Sequence, residues 1–154
     1  MGSLPRYLVD TNVLLRLSRQ EDPQHEFIAT AIEVLVRQGS ELCFSLQNIA
    51  EFWNVCTRPT VRNGYGLTIP ETNERVDYIE RTMTLLPDSE RVYLIWRQLI
   101  ITHKVKGAKV HAARLAAIMQ AYGLTSVLTL NQPDFLRYPG IQAIHPNQIQ
   151  PSPR

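Results

Sequence analysis

The chain lacks any long hydrophobic run, and it contains very little cysteine. No apolar stretch approaches the roughly 20 residues that a membrane-spanning helix needs. The amino terminus also lacks the basic segment followed by an apolar segment that marks a secretory signal peptide. The sequence therefore predicts a cytoplasmic protein that does not act in a membrane.

The two cysteines, Cys43 and Cys56, have neither a CxxC partner nor the nearby histidines of a zinc site. We expect both to be buried free thiols, because free cysteine behaves as a small hydrophobic residue. The chain also lacks a large excess of positive or negative charge. Its formal net charge is +2, and this value alone does not indicate nucleic-acid binding. Two predicted loops nevertheless hold clusters of basic residues: Arg58, Arg62, Lys104, Lys106 and Lys109.

Strand-like and helix-like segments alternate along the chain, which predicts a parallel sheet covered by helices. We place one α/β domain at residues 1–145 and a flexible tail, rich in proline and glutamine, at residues 146–154. The predicted strands are residues 7–10, 42–45, 85–86, 126–129 and 142–144. The predicted helices include residues 23–37, 46–57, 71–84, 89–103 and 110–122.

Asp10 ends the first predicted strand, and a helix follows it at once. This arrangement puts a carboxylate at the carboxyl edge of the sheet, where open α/β folds bind ligands. Asp10 is therefore the first candidate for a catalytic residue. The alternative is that Asp10 only caps the following helix together with Thr11 or Asn12.

Two further acids, Glu51 and Asp134, lie close to the ends of other predicted strands. Glu51 is on the helix predicted at residues 46–57, directly after the second strand, and taken alone it could equally be a surface residue. Asp134 follows Pro133 just past the fourth strand, and taken alone it would be a turn residue, because Pro-Asp is a turn signal.

Taken together, Asp10, Glu51 and Asp134 come from strand edges or helix starts that a parallel sheet brings to one side. Carboxylates gathered there repel one another unless a hard cation lies among them, and Mg²⁺ or Mn²⁺ with oxygen ligands and several waters suits that arrangement. Such a metal site fits the cleavage of a phosphodiester by an activated water.

Two other enzyme and signalling classes also place an acid after their first strand. A phosphatase of the haloacid dehalogenase type needs a second aspartate two positions later, where this chain has Asn12. A response-regulator receiver needs an acid pair at the first strand, and no such pair accompanies Asp10, although Asp88 follows the third predicted strand. Both alternatives fit the sequence poorly.

Four motifs follow one another along almost the whole chain. They read YLVDTNVLLRL at residues 7–17, SLQNIAEFWNV at 45–55, KVHAARLAAIMQAYG at 109–123 and VLTLNQPDFLRYPGI at 127–141. These motifs resemble PIN domains, especially the VapC-type toxins of prokaryotic toxin–antitoxin pairs. The resemblance implies a three-layer α/β/α fold with a five-stranded parallel sheet, a ribonuclease site that uses Mg²⁺ or Mn²⁺, an RNA substrate, a homodimer and inhibition by a small antitoxin protein.

The resemblance also assigns roles to individual residues. The family's metal-ligating acids correspond to Asp10, Glu51 and Asp134. Thr129 would donate a hydrogen bond near the metal, and Asn12 would fix the loop after the first acid. The remaining supporting positions are Asn131, whose amide could also serve as a ligand, and Arg114, which could contact phosphate or pair with an acid.

One position departs from the family pattern. The family motif reads Val-His-Asp-Ala-Arg, whereas residues 110–114 read Val-His-Ala-Ala-Arg, so Ala112 stands where the family has a metal-ligating aspartate. An engineered inactivation, a natural loss or substitution by another acid would each explain Ala112. We favour engineering, because the surrounding positions match an intact site and alanine is the usual replacement.

The missing carboxylate predicts weaker metal binding and a much lower rate. Losing a catalytic group commonly lowers rates by roughly 10³-fold, which corresponds to ~4 kcal/mol. The alternative function, also based on Ala112, is a naturally non-catalytic PIN-like module that binds RNA or a protein.

Overall fold

The computed structural model describes residues 4–151, and five strands within that range form one parallel sheet. The strands are β1 (Arg6–Val9), β2 (Glu41–Ser45), β3 (Thr84–Leu86), β4 (Ser126–Leu128) and β5 (Gln142–Ile144). Their order across the sheet is β3-β2-β1-β4-β5, and every neighbouring pair is parallel. The predicted five-stranded parallel sheet is therefore confirmed.

Six α-helices connect these strands in the described part of the chain. They are α1 (Thr11–Leu17), α2 (His25–Arg37), α3 (Leu46–Thr57), α4 (Ile69–Thr82), α5 (Glu90–Thr102) and α6 (Val110–Tyr122). Short 3₁₀ turns occupy residues 60–62, 107–109, 132–135 and 146–148. No helix among residues 4–151 is long and apolar enough to cross a membrane.

The sheet separates two hydrophobic cores, because successive side chains of a strand point to opposite faces. Leu8 of β1 packs with the buried faces of α5 and α6, whereas the neighbouring Val9 packs with α1, α2, α3 and α4. Both side chains are fully buried. Helices on both faces of a buried parallel sheet give the three-layer α/β/α architecture that the sequence predicts. Cys43 and Cys56 are buried free thiols, also as predicted.

The chain reverses its direction of travel across the sheet next to β1. It passes from β1 to β2 and β3 on one side, and it then returns to place β4 on the other side of β1. The carboxyl ends of β1 and β4 consequently flank a topological switch point, where open α/β sheets bind their ligands. Asp10 and Thr129 are the first residues after these two strands.

The part of the predicted tail that the structure describes is packed against the domain. Residues 146–148 form a 3₁₀ turn beside α2, and Pro146 is buried. The His145 ring stacks on Phe27 of α2, with ring centroids 5.9 Å apart. The division into a domain at residues 1–145 and a tail at 146–154 stays a prediction, and residues 152–154 lie outside the described part.

Candidate active site

Asp10 is held in one orientation at the carboxyl end of β1. It is the N-cap of α1, and its Oδ1 accepts a hydrogen bond of 2.8 Å from the Thr11 backbone N–H. Its Oδ2 accepts a hydrogen bond of 2.8 Å from the Thr129 hydroxyl, at the end of β4. The cap and the functional interpretation are therefore compatible, because one carboxylate both begins the helix and lies at the switch point.

The environment of Asp10 favours its protonated form. Burial raises the pKa of this carboxyl to about 6, although the hydrogen bonds from Thr129 and Thr11 oppose the shift. The negative charges of Glu51 and Asp134 contribute to the same upward shift. Burial and the charges of two other acids disfavour the ionised carboxylate, and a bound cation would stabilise it.

Glu51 reaches the same region from α3 through a chain of buried polar groups. The Thr11 hydroxyl donates to Glu51 Oε1 at 2.9 Å, and Asn48 Nδ2 donates to that hydroxyl oxygen at 3.1 Å. Asn48 is fully buried and also completes a capping box with Ser45, the N-cap of α3. The sequence reasoning missed the role of Asn48, which the Ser-x-x-Asn spacing at this helix start could have indicated.

Asp134 belongs to the 3₁₀ turn after β4, and its side chain is exposed. Asn131 Nδ2 donates to Asp134 Oδ2 at 2.9 Å, while the Asn131 backbone N–H donates to the Thr129 hydroxyl at 3.0 Å. Asn12 secures this loop from α1, because its Oδ1 accepts from the Leu130 backbone N–H at 3.1 Å. The predicted supporting residues therefore connect Asp10 to the loop that carries Asp134.

The three predicted acids line one cavity of about 300 Å³. Asp10 at the end of β1, Glu51 of α3 and Asp134 of the turn after β4 line it together with His111 and Ala112 of α6. The methyl group of Ala112 thus stands in the wall at the position that the resemblance gives to an aspartate. The structure brings together the acids that the sequence singled out and the position that departs from the family pattern.

The donor set of this cavity fits a hard cation through carboxylate oxygens. Among residues 4–151, no group of three His, Cys, Asp or Glu side chains lies close enough together to hold a metal ion. Mg²⁺ is commonly bound by one or two carboxylates and completes its shell with water, so Asp10 and Glu51 suffice for that mode. The ligand role of Asp134 stays a prediction.

Gln47, which the sequence analysis did not identify, also lines the cavity. It lies one helical turn before Glu51 and is 6% exposed. Its Nε2 donates to the His111 backbone carbonyl at 2.8 Å, whereas its Oε1 is buried and has no hydrogen-bond partner. Buried oxygens without a hydrogen-bond partner are rare. Gln47 is therefore an exception at the contact between α3 and α6.

Cationic side chains border the same cavity. Lys109, from the predicted basic cluster, and Arg137, which sequence reasoning missed, both line it. Arg114 does not line it, and it pairs instead with Asp88 through Nη2 and Oδ2 at 2.6 Å. Of the two predicted roles of Arg114, contact with phosphate or pairing with an acid, the structure has the second.

The sequence matches the family profile described as the PIN domain over residues 7–141. The chain therefore belongs to the PIN domain family, and the resemblance given by its motifs is confirmed. PIN domains generally use divalent metal ions, and the VapC-type proteins of this family are nucleases. No curated protein matches the sequence significantly.

Solved structures of toxin–antitoxin proteins share this fold. VapBC from Salmonella typhimurium, bound to DNA, has a TM-score of 0.69 at 18% identity, covering 94% of this chain and 99% of that chain. VapBC-1 from nontypeable Haemophilus influenzae has a TM-score of 0.66 at 17% identity, covering 92% and 98%. VapC20 from Mycobacterium tuberculosis, a toxin that cleaves the sarcin–ricin loop, has a TM-score of 0.65 at 13% identity, covering 86% and 95%.

Proposed function

We propose that this chain is a PIN-type endoribonuclease, the toxin of a toxin–antitoxin pair, in which Ala112 replaces the third catalytic acid. The observation that carries this proposal is the buried Asp10 carboxylate at the switch point, oriented by Thr11 and Thr129 and facing two more acids. A repulsive cluster of this kind at a ligand-binding edge is typical of catalytic sites rather than of helix caps.

The carboxylates and the cations of the cavity would have different tasks. Asp10 and Glu51 would hold Mg²⁺ or Mn²⁺, with Asp134 as a further ligand directly or through water. A bound divalent ion supplies Lewis-acid stabilisation of phosphate charge and lowers the pKa of water. Lys109 and Arg137, on the cavity border, would position the RNA phosphate by charge-assisted hydrogen bonds.

The loss of an acid at position 112 would weaken the site without dismantling it. An aspartate there would lie in the first turn of α6, where the helix dipole and the unpaired N–H groups favour negative charge. Alanine provides no ligand and no charge, so the metal would be held by fewer oxygens. We favour an engineered replacement, because the hydrogen-bonded scaffold around Asp10 is intact.

Two partners follow from the same proposal. The VapBC structures from Salmonella typhimurium and Haemophilus influenzae carry the names of toxin–antitoxin pairs, which supports an antitoxin as the protein partner of this chain. We expect the chain to form a homodimer, as the family resemblance implies.

The test compares Mn²⁺-dependent cleavage of a structured RNA by three purified forms: the chain as given, Ala112→Asp, and Ala112→Asp combined with Asp10→Ala. We expect only Ala112→Asp to cleave, by roughly 10³-fold above the chain as given, since a catalytic carboxylate commonly has that effect. EDTA added to the active form is the matched control and should abolish cleavage.

Two results would contradict the proposal. Cleavage that survives Asp10→Ala would mean that the buried acid is not part of the site. Absence of cleavage by all three forms on any RNA offered would favour the second candidate, a non-catalytic PIN-like module that binds RNA or protein. The alanine at position 112 is the observation that favours this second candidate.

A further inference from the structure

A second cavity, of about 380 Å³, lies between the start of α5 and the start of α6. Its volume falls within the range of small-molecule sites. Its lining includes two aromatic residues, Tyr93 and Trp96, and an ion pair between Arg114 and Asp88. This combination suits a ligand that is flat, apolar on its faces and polar at its edge.

The aromatic residues are arranged so that they do not cover each other. Their ring centroids are 6.5 Å apart and their planes are tilted by 52°, so the rings are not stacked. Trp96 Nε1 donates to the Val110 backbone carbonyl at 2.9 Å, which fixes the indole against the first turn of α6. Tyr93 is 50% exposed. A fixed indole beside an exposed phenol ring offers a preorganised stacking surface, which lowers the entropy cost of binding.

The polar groups of the cavity retain hydrogen-bonding capacity. The ion pair joins Arg114 Nη2 to Asp88 Oδ2, and a guanidinium has four other N–H groups while a carboxylate has a second oxygen. Both side chains are more than a third exposed, at 39% and 34%. The edge of a nucleobase, which presents donors and acceptors side by side, can therefore bond to both charges without breaking the pair.

His111 joins this cavity to the candidate active site, because it lines both. The two cavities flank the first turn of α6, one on the side of Ala112 and one on the side of Arg114. A polynucleotide whose phosphate lies in the acidic cavity would thus bring a neighbouring nucleotide to the aromatic cavity.

We propose that the cavity lined by Tyr93, Trp96, Arg114 and Asp88 binds one unpaired nucleobase of RNA, flanking the phosphate held at Asp10. The proposal deepens the ribonuclease function and rests on it. Stacking on Tyr93 and Trp96 supplies the affinity, and the ion pair contacts the base edge. The preference for one base at this nucleotide of the RNA would then depend on this second cavity and not on the candidate active site.

The experiment measures the binding of a short single-stranded RNA in EDTA by fluorescence anisotropy, with the chain as given. The variants are Tyr93→Ala and Tyr78→Ala. Tyr78 is the matched control, because it is 51% exposed, lies on α4 and lines neither cavity. We expect Tyr93→Ala to weaken binding roughly tenfold, the effect typical of a lost base–aromatic stack, and Tyr78→Ala to change it by less than about twofold.

Trp96 gives a second readout that does not depend on substitution in the cavity. In a Trp53→Phe background Trp96 is the remaining tryptophan of the chain, since the sequence has two. Its fluorescence should be quenched on addition of the RNA. An abasic oligonucleotide with the same number of phosphates should neither quench the fluorescence nor bind as tightly.

Equal binding of the abasic and normal RNA, an unchanged affinity of Tyr93→Ala, or failure of the chain to bind RNA would each overturn the proposal. A change in oligomeric state of Tyr93→Ala without a change in RNA affinity would overturn it too, and would indicate a protein interface. Cleavage by Ala112→Asp is measured separately. If that form cleaves while Tyr93→Ala binds normally, the ribonuclease function stands and the base site fails. If no form cleaves but base-dependent binding needs Tyr93, the reverse holds.

Discussion

The two walls of the candidate active site differ in how completely their polar groups are satisfied. On the sheet side, Asp10, Thr11, Asn48 and Thr129 form a continuous buried network of hydrogen bonds. On the side next to α6, Ala112 offers no polar group, and Gln47 of α3, which donates to the His111 carbonyl of α6, leaves its Oε1 without a partner. The polar groups of the sheet side are hydrogen-bonded to one another, whereas the side next to α6 leaves one buried oxygen unpaired.

The contrast also concerns the free energy of the buried charge on the sheet side. The network on the sheet side keeps the Asp10 carboxylate buried, although burial raises its pKa to about 6 and the charges of Glu51 and Asp134 add to the shift. Such an arrangement destabilises the ionised protein unless a cation binds, and it is commonly retained for function. The sheet side therefore supports the proposed catalytic role of Asp10, and position 112 is where the chain departs from the motif of the PIN family.

The largest effect on stability should come from neutralising Asp10. The folded-state pKa of about 6 lies above the ordinary value of 3.8, so folding takes up a proton between these values and stability falls as pH rises through that window. Asp10→Asn removes the buried charge. We expect it to raise the free energy of unfolding by about 3 kcal/mol near pH 8, and by much less near pH 4.

Urea denaturation in EDTA at a series of pH values measures this difference. In a second series without EDTA, added Mn²⁺ should stabilise the chain with the ionised Asp10 carboxylate, whereas Asp10→Asn should respond weakly. A stability gain that is the same at every pH would mean that the substitution acts through packing and not through the charge of Asp10.

Substitutions at two neighbouring residues of α3, Asn48 and Gln47, should change the free energy of unfolding by different and smaller amounts. Asn48→Leu leaves Thr11 and Ser45 without their partner, so we expect a loss of about 2 kcal/mol in the free energy of unfolding. Gln47→Met removes the bond to His111 but also removes an unpaired buried oxygen, so we expect a change within about 1 kcal/mol. Both values come from chemical denaturation of the two variants side by side. Equal losses would contradict the contrast between the walls.

Local signals predicted the helices best where a clear cap marks one end of the helix. The predicted bounds of α3 and α6 coincide with the structure, because Ser45 caps the first and Gly123 ends the second with a φ of 74°. Helix α4 was predicted at residues 71–84 but spans Ile69–Thr82, since a capping box from Thr68 to Glu71 begins it earlier. The strand β3 includes the predicted residues 85–86 and begins one residue earlier, at Thr84, which the prediction gave to the end of that helix.

The sequence predicted the acidic residues of the candidate site, but it did not predict the hydrogen bonds and ion pairs that they and their neighbours form. Asp10 could be identified because a strand–acid–helix pattern has a fixed position in a parallel sheet. The hydrogen bond from Thr129 to Asp10 joins residues 119 positions apart, and no local pattern indicates such a contact. The same holds for the ion pair of Arg114, since its partner, Asp88, precedes a different helix.

The smallest effect should come from that ion pair, which Arg114 of α6 forms outside the candidate active-site cavity. Both partners are more than a third exposed, so water and salt screen their attraction, and Arg114→Gln should lower the free energy of unfolding by less than about 1 kcal/mol. Asp88→Asn is the matched variant, and the double variant should lose no more than either single one, because each removes the same contact. The difference should shrink further in high salt. A loss comparable to that of Asn48→Leu would contradict the contrast, because it would mean that α6 is anchored by its surface charges as firmly as the sheet side is by its buried network.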